Sequence, residues 1–201
     1  MSSSNLFRLA GIAGILSAAV MAVMSFGSDP SQGIPPLLAI VSAVLGILLV
    51  TGLYLLYRGE APALSLAAAV ISGIGYVLFV VASLMQLRFP SPLLAAADIA
   101  IYILGLALFS WLAYRTRKMS RILAAVGLLA ALAGAGSYVF MWVTGTNFTG
   151  MENLSPVLMA LFSAYLIGVI VWLAWTGIIL LRMKPAAATV QAPSAAVDQP
   201  A

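Results

Sequence analysis

Charged residues in this chain are confined to short clusters, and between them run uncharged apolar stretches of about 18–25 residues, the length of helix that crosses a bilayer. No other feature constrains the fold as strongly. The chain has 201 residues, 64% hydrophobic and 7% charged, where a soluble domain carries about 25% charged residues to cover its surface. Lipid rather than water is therefore the expected solvent, and the expected fold is an all-α polytopic bundle of six transmembrane helices.

The spans are expected at about residues 9–26, 34–57, 63–87, 92–114, 122–143 and 156–181, within one transmembrane domain over residues 1–184. Gly27-Ser28-Asp29-Pro30 ends the first. Its apolar run is longer than the roughly 7–15 residues of a signal-peptide core and no small-residue cleavage pattern follows, so it reads as a membrane helix. Pro35 and Pro36 fall in the first turn of the second span, where the missing amide has no helical partner anyway. Ser91-Pro92 and Ser155-Pro156 combine a capping side chain with proline at the first helical position. The Ala/Pro/Gln tail over residues 185–201 lacks periodicity and large apolar groups and is expected to be a disordered cytoplasmic tail.

Orientation follows from the loops. Of nine Lys and Arg, Arg88 alone falls on the side that receives the ends of the first, third and fifth spans. Basic residues stay on the cytoplasmic side, so both termini are expected there, in the cytoplasmic (inner) membrane of a bacterial cell. Tyr57, Trp111, Tyr114 and Trp175 near one interface, and Phe26, Phe89 and Trp142 near the other, agree with aromatic belts.

The helices that run inward share a proline start and a central glycine (Gly46, Gly105, Gly168), and Gly73-Ile74-Gly75-Tyr76-Val77 echoes Gly134-Ala135-Gly136-Ser137-Tyr138-Val139. A helical hairpin used three times would account for this. Ordinary bundle architecture would too. Small residues recur at four-residue spacing in Ser65/Ala69/Gly73, Gly127/Ala131/Ala135, Ala130/Gly134 and Ala160/Ala164/Gly168, a pattern that permits close backbone approach in lipid. The third, fifth and sixth helices are accordingly expected to be the inner ones, although such stripes also suit a homodimer face.

Cysteine and histidine are absent. That removes thiol nucleophiles, disulfides, imidazole ligands and the commonest general base. No run matches a phosphate-cradling loop or a dinucleotide fingerprint, and Gly11-Ile12-Ala13-Gly14 lies inside an apolar helix. Asn147-Phe148-Thr149 fits the glycosylation pattern, and Glu152 and Asp29 are too isolated to form an acid/base pair. The scattered Ser and Thr of the spans are expected to bond their own or neighbouring helices. No cofactor is expected.

Asp98 is the exception. It is the one ionisable residue well inside a span, about six residues and roughly 9 Å past Pro92. Asp98, Tyr102 and Gly105 share a helical face that should point into the bundle, and Arg88 or Gln86 could reach back to the carboxyl across the short external loop. Either Asp98 binds a proton or cation, or it is half of a polar clamp assisted by the positive end of its own helix. The basic loop Arg115-Thr116-Arg117-Lys118-Met119-Ser120-Arg121 sets topology, or attaches to anionic head groups or an acidic partner.

The Arg-Leu-Ala-Gly-Ile-Ala-Gly run (Arg8 to Gly14) in the first helix and Trp-Leu-Ala-Trp-Thr-Gly (Trp172 to Gly177) in the last resemble those of small bacterial six-helix integral membrane proteins of unknown function, over about residues 6–182. The resemblance implies a membrane bundle and supplies no catalytic residue. The expectation is a non-enzymatic protein that packs with membrane lipids, a membrane-protein partner or a second copy of itself, without nucleic acid. The alternative is a small secondary transporter or channel using Asp98. A lipid-acting enzyme ranks behind both, since neither nucleophile nor base can be named.

Overall fold

The structure, a computed structural model, describes residues 3–26, 34–87, 91–145 and 155–183. Six helices among them are long and apolar enough to cross a membrane: α1 (Ser3–Phe26), α2 (Pro36–Tyr57), α3 (Pro62–Leu84), α4 (Pro92–Thr116), α5 (Arg121–Thr144) and α6 (Pro156–Arg182). The protein is an all-helical polytopic bundle. The tail over residues 185–201, the glycosylation pattern, Asp29, Glu152 and Arg88 lie outside the described residues.

Proline opens α2, α3, α4 and α6. Ser91 caps α4 by accepting the amide of Leu94 at 3.3 Å, and Ser155 caps α6 by accepting that of Val157 at 3.3 Å. Ser120 does the same for α5, bonding Ile122 and Leu123 at 3.2 and 3.4 Å. The third helix ends three residues earlier than its apolar run. Gln86 adopts the left-handed conformation (φ 53), and the amides of Gln86 and Leu87 return to the carbonyls of Ser83 and Ala82, each at 3.0 Å. This is a Schellman closure made without glycine.

Each helix packs on its neighbours in sequence and α6 closes back on α1, forming a ring. Side chains such as Leu53, Tyr57, Phe109, Leu112, Tyr165 and Trp172 fill its centre. The outer faces carry large apolar side chains, with Leu37, Leu129, Leu132 and Trp142 all more than 60% exposed, as a lipid-facing surface requires.

The expected inner trio is corrected by this ring. α4 is the most enclosed helix, with 44% of its apolar window buried against 28% for α3 and for α6. The α5 stripe is buried as expected, with Gly127, Ala130, Ala131 and Gly134 turned inward. On α6, however, Ala160 and Ala164 are exposed, and on α3 the Cβ position of Gly73 meets nothing within 4 Å.

The closest backbone approach lies elsewhere, between α1 and α6. A methyl at Gly177 would stand 2.6 Å from the carbonyl oxygen of Gly11, and one at Gly14 would stand 3.0 Å from the Cα of Gly177. The stretches Arg8 to Gly14 and Trp172 to Gly177 therefore meet face to face and close the ring.

At the end where Arg58, Arg115, Arg117 and Arg182 gather, a clasp ties the α4–α5 loop to α2 and to the α2–α3 turn. Lys118 Nζ donates to the carbonyl of Leu56 at 2.7 Å, in the last turn of α2, and pairs with Glu60 at 3.1 Å in the α2–α3 turn. A cation there neutralises unpaired helix-terminal carbonyls.

Candidate functional site: an acid and tyrosine layer in the distal half

Asp98 lies about 9 Å along α4, in the half of the bundle away from the arginines. It does point between helices. Its Oδ1 accepts the hydroxyl of Tyr165 from α6 at 2.7 Å, and its Oδ2 accepts that of Tyr138 from α5 at 2.9 Å. Tyr165 is 1% exposed; Tyr138 and the acid itself are half-buried.

One turn further along α4, the Tyr102 hydroxyl meets those of Tyr76 on α3 and Ser42 on α2. Gly46 makes room for this: any side chain there would collide with the Tyr76 ring. Five helices thus send polar side chains into one layer centred on α4. The two Gly-Tyr echoes have a shared outcome, since Tyr76 and Tyr138 both reach α4.

The helix itself changes form here. Over Ile99–Gly105 it widens into π-helical turns, and the amide of Leu106 donates to the carbonyl of Ile101 five residues back. Such turns are uncommon and concentrate at functional sites. Gly105 sits where the π segment presses on α3, with Ser72 occupying the space a side chain would need.

Beside the layer is a cavity of about 20 Å³ lined by Leu49, Ser72, Tyr76, Tyr102, Phe109 and Trp172, among others. That is room for about one water molecule. Further toward the arginine end, the Ser110 hydroxyl and the Trp172 indole N–H crowd the space over Gly127, both buried and neither with a hydrogen-bond partner. Thr51 and Ser137 bond carbonyls of their own helices, as expected, whereas Ser17, Ser83 and Thr176 are buried without a partner.

Of the residues singled out from sequence, Asp98, Tyr102 and Gly105 share the site. Gln86 is exposed in the turn after α3, and the bonds to the Asp98 oxygens come from tyrosines instead. Tyr138 and Tyr165 were not legible as its partners. Their signal was a tyrosine deep in a span instead of at an interfacial belt, where its hydroxyl must find a partner inside the protein. Among the described residues no three Asp, Glu, His or Cys side chains come together. No protein-family model, curated protein or solved structure matches the chain.

Proposed function

We propose that this is a non-enzymatic multi-pass membrane protein that takes up and releases a proton at Asp98, the chemistry of a small transporter or channel. What carries the reading is a bundle-facing carboxyl whose partners, among the described residues, are tyrosine hydroxyls and no cation. An asparagine could accept from a tyrosine without bringing a charge into low-dielectric surroundings, so the acid is there for its proton. A tyrosine hydroxyl donates to a carboxylate and accepts from a carboxylic acid, so the site accommodates both states. The water-sized cavity, with Trp172 and Ser110 beyond it, is of a size to hold a water that relays protons.

The test is reconstitution into vesicles holding a pH-sensitive dye, with an imposed pH gradient. Wild type should dissipate the gradient, and Asp98→Asn should lose that activity while keeping its thermal stability. A wild type no faster than empty vesicles overturns the reading.

A second reading, that of a packing or interaction protein, draws support from the same layer, which ties five helices together, and from the exposed small residues Ala160 and Ala164 on α6. It expects a partner or a second copy to survive gentle extraction, and an Asp98→Asn variant that loses stability without any change in proton flux. Both readings keep the termini in the cytoplasm. Single cysteines in this cysteine-free chain test that: Gly150→Cys should react with an impermeant thiol reagent from outside, and Lys118→Cys should be protected.

A further inference from the structure

At the arginine end, Arg8, Arg58, Arg115, Arg117, Arg121 and Arg182 are all exposed. The one acid at that end among the described residues, Glu60, is already paired with Lys118, so the arginines keep their full charge. They are not evenly equipped. At the corner where α4 hands over to α5, Trp111 and Tyr114 are each 48% exposed and stack at 6.1 Å between ring centres, and the Arg121 guanidinium lies 5.9 Å above the Tyr114 ring. Arg115 follows Tyr114 directly, and Arg117, itself in the left-handed conformation (φ 56), caps the end of α4 beside them.

We propose that this corner binds an anionic phospholipid of the adjoining leaflet, its phosphate among Arg115, Arg117 and Arg121 and its glycerol and upper acyl chains along Trp111 and Tyr114. Charge selects the head group. The neighbouring aromatic pair selects the rest: Trp and Tyr rings settle at the boundary between head groups and hydrocarbon, where a soluble phosphate or an acidic protein has no apolar portion to offer. Guanidinium groups suit the phosphate because they present several donors in a fixed plane. The corner is remote from Asp98, so the proposal stands or falls independently of the proton reading.

The test is native mass spectrometry of the detergent-purified full chain titrated with phosphatidylglycerol and with phosphatidylcholine of the same acyl chains. Wild type should bind the anionic lipid at least about 10-fold more tightly. Arg115→Gln/Arg117→Gln/Arg121→Gln should weaken that binding on the order of 100-fold, at about 5-fold per arginine, with circular dichroism and melting unchanged. Arg8→Gln/Arg182→Gln, which removes two exposed charges from the α1–α6 side of the same end, should change it less than 3-fold. Trp111→Ala should lose retention of the lipid with all arginines in place. The proposal is overturned if the two lipids bind equally, if both sets of arginine variants lose affinity alike, or if polyglutamate displaces the lipid at equal charge concentration.

Discussion

The hydroxyl of Tyr165 on α6 reaches 2.7 Å across the bundle to the carboxyl of Asp98 on α4, and no other described side chain bonds that oxygen. Tyr165→Phe removes the donor to a half-buried carboxyl oxygen, for a loss of about 1–2 kcal/mol. Tyr138→Phe acts on the other oxygen but at a half-buried position that water can reach. Melting in detergent should fall for both, and further for Tyr165→Phe; equal or absent shifts would show that these bonds do not hold the helices.

Gly177 and Gly73 make opposite predictions from the same substitution. Gly177→Ala drives a methyl into the backbone of α1 and should cost about 1–3 kcal/mol. Gly73→Ala meets open space and should gain up to about 1 kcal/mol from helix propensity. Unfolding curves of the pair measured side by side decide whether the α1–α6 crossing is as tight as described.

Gln86 closes α3 in a conformation that costs an ordinary residue about 1–2 kcal/mol and glycine almost nothing. Gln86→Gly should therefore raise the melting temperature. A fall would mean that the Gln86 side chain contributes more than its backbone strain removes.

Lys118 joins two kinds of partner, the Leu56 carbonyl and Glu60. A double-mutant cycle of Lys118→Met and Glu60→Gln should give a coupling of at most about 1 kcal/mol, shrinking with salt, because the pair is partly exposed. The remaining loss in Lys118→Met belongs to the carbonyl and should be insensitive to salt. A coupling that persists at high salt would contradict this division.

The spans were readable because hydrocarbon thickness sets a length that the gaps between charges repeat. Which way each helix faces was not. In lipid the inward and outward faces are both apolar, so Ala160 and Ala164 resemble a packing stripe while facing out, and Gly177, in no such stripe, makes the closest approach to another helix's backbone. Polarity is the only reliable compass, and Asp98 supplied it for α4 alone. Its tyrosine partners come from helices distant in sequence, and the π segment that carries Tyr102 has no local proline or glycine-pair signal.

That π segment also divides α4 into two parts that need not turn together. The inner part is anchored by Leu112 and Ala113 in the core, and the outer part carries Asp98 together with the buried Leu94 and Ala97. Tightening Ile99–Gly105 to an ordinary α-helical register would swing the carboxyl by about 100° about the helix axis without disturbing the anchored half. Leu94 and Ala97 would leave the core on the same swing, so their burial is what holds the carboxyl against its tyrosines.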